Sequence, residues 1–201
     1  MSVNVNSPNG FQRFGLLDGA SPTMGDQVRK VAAADSSAIG YGDPVVSLST
    51  GYVTIATAGT TQIAGIFRGC YYLNTAVGRV VWSPNWPGGT QGSDATCYID
   101  SDPNALFVAQ AYNTAIVFAD IDANINFKIG TPNTTAAGGY STSSLDQSTI
   151  DTTSTLPFRI VGLLSDYLPA NSQPGTDDSS AYNRAIVAFN FTDRKSTTGI
   201  A

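Results

Sequence analysis

Apolar residues along this chain alternate with polar ones in short bursts, and turn residues separate one burst from the next. Val45, Val46 and Leu48 follow the Gly42-Asp43-Pro44 turn, and Ser49-Thr50-Gly51 reads as a tight hairpin into Tyr52, Val53 and Ile55. Ile63–Leu73 is rich in Ile, Phe and Tyr, with Gly65 and Gly69 placed where a strand bulges. Further strands are expected over Arg79–Trp82, Thr96–Ile99, Leu106–Gln110, Ala115–Phe118, Ile125–Ile129, Phe158–Leu164 and Arg184–Phe191. No segment sustains a 3.6-residue apolar period, although Ser21–Ala34 has room for a helical turn. About ten short strands spaced by turns predict an all-β fold, a β-barrel or β-sandwich.

Two stretches break the pattern. Residues 1–36 carry isolated apolar anchors among Asn, Ser, Pro and Gly, which predicts an extended N-terminal arm lying on its own domain or on a neighbour. Residues 37–201 then form a single β domain, and removal of everything before Asp35 is expected to leave that domain folded. Residues 130–156 are rich in Thr, Ser and Gly and read as a long surface excursion, of the kind that makes contacts. In the arm, Phe11, Arg13 and Phe14 are candidate partner contacts, two rings flanking a guanidinium suited to carboxylates. They serve equally well to close the chain's own barrel.

Composition sharpens the functional reading. The chain has no histidine, and all 15 acidic residues are aspartate. That removes the commonest general base and transition-metal ligand, and a Ser-His-Asp arrangement with them. Aspartate pairs remain, yet most sit in turn-like text. The expectation is a non-enzymatic protein with no catalytic residues, no cofactor and no metal. Charged residues are only 12% of the chain and the net charge is −5, which argues against binding nucleic acid through its phosphates. No apolar run is long enough for a membrane-spanning helix. The N-terminal residues lack a signal-peptide pattern, so synthesis in a cytosol is expected.

Asp100-Ser101-Asp102-Pro103-Asn104 and Asp120-Ile121-Asp122-Ala123-Asn124 share the opening of a calcium loop. Ala105 and Ile125 stand where such a loop turns on glycine, so Asx turns are the expected outcome. Cys70 and Cys97, each beside a tyrosine, read as small buried residues in a reducing compartment. Trp82 and Trp86 flank Ser83-Pro84-Asn85; each is open as a core plug, a subunit contact or a sugar-stacking platform.

Tyr41-Gly42-Asp43-Pro44-Val45-Val46, Gly51-Tyr52-Val53 and Ile63-Ala64-Gly65-Ile66-Phe67-Arg68-Gly69 resemble the opening of tailed-bacteriophage capsid decoration (cement) proteins. Tyr98–Gln110 and Phe158–Leu163 extend the resemblance from about Gly40 onward. It implies a β subunit, commonly a homotrimer, on the outside of an icosahedral head assembled in the host cytoplasm. Its partner there is the major capsid protein, whose neighbouring copies it bridges. The alternative function is a phage tail, receptor-binding or carbohydrate-binding β module.

Overall fold

The computed structural model describes residues 3–20, 25–89, 91–132, 139–196 and 199–200. They form twelve strands: β1 (Gln12–Leu16), β2 (Asp26–Val31), β3 (Pro44–Ser47), β4 (Val53–Ile55), β5 (Gly65–Asn74), β6 (Arg79–Ser83), β7 (Ala95–Asp100), β8 (Ala105–Gln110), β9 (Asn124–Lys128), β10 (Ser144–Asp151), β11 (Phe158–Leu163) and β12 (Arg184–Phe189). The fold is all-β, two antiparallel six-stranded sheets, as the alternation predicts. One sheet runs β1-β8-β12-β11-β9-β10. The other runs β2-β7-β5-β3-β4, with β6 paired to β5 as well. Ile66, Cys70 and Tyr71 are each paired on both sides. Hence β3 and β6 lie end to end along one edge of β5, and β7 takes the other.

β7 and β11 bury alternate residues, whereas β5, β8, β9 and β12 are buried at nearly every position. Phe107, Ile125, Phe127, Phe158, Ile160, Val187 and Phe189 fill one cluster, joined by Ile66 of β5 and by Ile63 just before that strand. Val31, Val45, Phe67, Cys97 and Ile99 form the other around Trp86. Of the two bulges expected, one falls at Gly69, where the β5–β7 register shifts between Phe67 and Gly69; Gly65 pairs with Val45 in unbroken register.

The described residues of the 1–36 segment are built into the sheets and do not extend as an arm. β1 and β2 occur in different sheets, β1 paired with β8 and β2 with β7. Phe11 is fully buried, stacked on Phe158 at 4.5 Å and edge-on to Phe127 at 6.4 Å. The segment before it is tied down by Asn4, whose side-chain amide donates to the carbonyls of Asp177, Ser180 and Ala181 and whose oxygen accepts from Gly175 N–H. A boundary at residue 36 would cut through the packed body. The helical turn expected within Ser21–Ala34 is instead β2, with residues 21–24 outside the described residues.

Two more expectations need correction. The 130–156 excursion contains β10, which pairs with β9 and seats Leu145 in the core. Residues 133–138 of that excursion lie outside the described residues. Ala115–Phe118 is not a strand, because the buried Asn183 side chain bonds both the N–H and the C=O of Ile116. With its main chain held by one amide, that segment has no ladder to join.

Candidate functional site

Antiparallel pairing sends alternate residues of β5, β6 and β7 to the outer face of the second sheet, and three of them are aromatic. Tyr71 and Trp82 are cross-strand partners with ring centroids 5.0 Å apart. Tyr98 completes the triangle, 5.9 Å from Trp82 and 6.3 Å from Tyr71. Val28, opposite Tyr98, and Val80, two residues before Trp82, extend the row. Their exposures are large for apolar side chains: Trp82 49%, Tyr71 45%, Val28 58% and Val80 64%. Exposed apolar residues are ordinary singly, and a contiguous row of them marks a contact surface.

Gly69 makes room for this row. A Cβ there would lie 2.6 Å from Trp82 Cη2 and 2.7 Å from Cζ2, on a backbone with φ +131°. We predict that Gly69→Ala lowers the unfolding free energy by about 2 kcal/mol and displaces the indole. Chemical denaturation together with Trp emission in a Trp86→Phe background reads both effects.

The outer face of the first sheet carries a second apolar feature. The bulge in β1 between Arg13 and Gly15 turns Phe14 outward, where its ring meets Tyr167 at 5.0 Å and 75°. Phe14, Leu16, Leu106, Val161 and Tyr167 line a groove of about 470 Å³. Beneath it Leu106, Ile186 and Ala188 form a separate small cluster.

The sequence-derived contact residues therefore part company. Trp82 and Phe14 are on the surface. Phe11 and Trp86 are both fully buried and unavailable to a partner. Trp86 is the plug of the second cluster: its main chain pairs with Ile39 and its indole N–H donates to the Asp35 carbonyl at 3.1 Å. Arg13 faces inward, its guanidinium on Asp100 and, at 3.4 Å, on Asp102. Arg68 reaches the same Asp100 at 3.2 Å and lies over the rings of Tyr41 and Phe107. This charge cluster sits where the chain crosses between the sheets, from β7 to β8. The sequence offered no sign of Tyr71, Tyr98 or the β1 bulge as surface features; only strand register places them.

The two calcium-like stretches are turns. Asp102 accepts the Asn104 N–H at 2.9 Å while its other oxygen faces Arg13. Asp120 accepts the Val117 N–H at 2.8 Å, and the Asn124 oxygen accepts from Arg159 at 3.1 Å. Among the described residues no group of three or more Cys, Asp or other ligating side chains is arranged to hold a metal ion. Cys70 and Cys97 are opposite each other in β5 and β7, buried and unbridged, and burial pushes both thiols up to about 12.

A further carboxylate is fully buried. Asp43, at the Gly42-Asp43-Pro44 turn, accepts hydrogen bonds from the hydroxyls of Ser141 and Ser143 and, at 2.7 Å, from the Gly40 N–H. Burial pushes its carboxyl above the ordinary 3.8, and the three donors oppose that only in part. Its bonds join the turn to residues about a hundred positions further along, so Asp43 is a clamp between the turn and Ser141 and Ser143.

Comparison of the chain with protein-family models, with curated proteins and with solved structures finds no match.

Proposed function

We propose that the protein is a non-enzymatic virion component that binds the outside of an icosahedral phage head and stabilises it by bridging major capsid protein subunits. The observation that carries this reading is the pair of exposed apolar surfaces, one on the outer face of each sheet. A body with two separate contact faces touches two neighbours at once, and repetition over a symmetric shell multiplies modest contacts into a large stabilisation. The scarcity of charge supports it too, since broad contacts then bury few ions. The resemblance of the turn and strand motifs to those of cement proteins points in the same direction.

Co-sedimentation with purified heads tests the proposal. Micromolar protein is expected in the pellet with matching heads, and its recovery in the supernatant would refute the reading. Phe14→Ser combined with Tyr167→Ser removes the groove's rim and is expected to lower retention at least tenfold, about 1.4 kcal/mol of contact energy. A second reading, binding of carbohydrate, is favoured by the Tyr71–Trp82–Tyr98 triangle, because sugar rings stack on exposed aromatics. Trp82 emission should then respond to a titration with cell-surface glycans, and a silent titration counts against it.

A further inference from the structure

The free edge of β6 is apolar and almost without charge. Sheet edges display unpaired N–H and C=O groups, and proteins ordinarily guard them with charge, proline or covering segments. β2 has such protection: it carries Asp26, Arg29 and Lys30, and Arg29 reaches across to Ser47 at 3.0 Å and the Gly51 carbonyl at 3.4 Å. β10 is covered through the Leu145–Ala111 bridge, and its Asp146 pairs with Lys128 at 3.0 Å. β6 reads Arg79-Val-Val-Trp-Ser, and its one charge stands at the first position. Among the described residues no backbone group of 79–83 bonds to anything beyond β5.

Which groups are free follows from the ladder. The Leu73 carbonyl accepts from Gly92 N–H, on the β7 side of β5, so Leu73 directs its main-chain groups away from β6. Alternation then gives Asn74, Tyr72 and Cys70 to β6, bonded to their partners Arg79, Val81 and Ser83. Val80 and Trp82 consequently aim their N–H and C=O groups outward, four unpaired groups in a row.

We infer that the protein forms a two-fold dimer in which β6 of one copy pairs antiparallel with β6 of a second, centred on Val81. In that register Val80 faces Trp82 of the partner subunit, and the outward groups of both residues satisfy each other in four N–H···O=C bonds. Val81 meets its own copy as a non-hydrogen-bonded pair, which is where two antiparallel strands bring side chains closest. Arg79 faces Ser83, so no like charges are opposed. Trp82 and Val80 share the outer face, so each indole packs on a valine of the other copy and the aromatic row continues across the axis. The contact is isologous, the same residues on both sides, and it closes at two. This inference stands apart from the capsid reading and replaces a three-fold association with a two-fold one.

The mass of the full chain in solution tests it, by light scattering across about 1–200 µM, the range in which a small edge contact of micromolar affinity is populated. A species of twice 20.9 kDa is expected. Val80→Pro removes only an outward N–H, and Val80→Lys places a guard on the edge. Both are expected to give monomer with unchanged β content, and two chemically different variants separate loss of the edge from misfolding. Val81→Cys is expected to form a covalent dimer under mild oxidant, and Val80→Lys in the same chain to prevent it. A wild-type monomer throughout the range, a trimer, or a dimer that survives Val80→Lys would each overturn the proposal.

Discussion

A chain beginning at Asp35 is expected to lose cooperative thermal unfolding and to aggregate. The deletion strips β1 from β8 and β2 from β7, leaving a strand edge in each sheet without its partner. It also removes Phe11 from between Phe158 and Phe127, opening a cavity of ring size in the larger core. The single substitution Phe11→Ala isolates that second effect and is expected to cost about 3–5 kcal/mol. Domains of this size are stable by only about 5–15 kcal/mol, so the combined loss exceeds what the fold can bear. Circular dichroism melts of the truncated and substituted proteins check both statements. A truncated chain with a sharp transition would show that the first strands are accessories after all.

The second large effect belongs to Asp43. Asp43→Ala leaves the buried Ser141 and Ser143 hydroxyls and the Gly40 N–H without their acceptor, and is expected to lower stability by about 3 kcal/mol. The pH dependence has a definite sign. Because burial raises the Asp43 carboxyl above 3.8, the native state holds its proton more tightly than the unfolded state does. Its contribution is therefore fully present below the ordinary carboxylate range and is lost as pH rises through the raised value. Asp43→Asn has no proton to lose. The stability difference between wild type and Asp43→Asn is thus expected to be greatest in acid and to shrink towards neutral pH. Urea titrations at several pH values measure it, and a difference that grows with pH would contradict the assignment.

Much of the architecture was readable in the residues, and the failures share a cause. Strands buried on one face or both, such as Phe158–Leu163 and Arg184–Phe189, announce themselves through Ile, Val and Phe. β2 and β10 are edge or near-edge strands with polar residues on most positions, Asp26-Gln27-Val28-Arg29-Lys30-Val31 and Ser144–Asp151. Each buries one hydrophobic side chain deeply, Val31 and Leu145, too few to set a period. β1 hides its alternation behind a bulge at Phe14. The contact surface was half legible. Trp82 and Trp86 look equivalent in sequence, yet one faces solvent from β6 and the other pairs with Ile39 and fills a core. Tyr71 and Tyr98 join Trp82 only because a glycine-driven bulge at position 69 sets the β5–β7 register. No local pattern encodes that.

The placement of β1 beside β8 has a consequence for biosynthesis. Leu16 pairs with Ala105 and Gln12 with Val108, and the opposite edge of β8 is filled by β12. On a ribosome adding about 5–20 residues per second, the earliest strand waits on the order of ten seconds for its partner to be made. During that interval the intervening strands β2–β7 can assemble the other sheet, with Phe11 still solvent-exposed. Maturation of the first sheet is then governed by late, sequence-distant pairings, which makes it the slow phase of folding and the stage most open to chaperone capture.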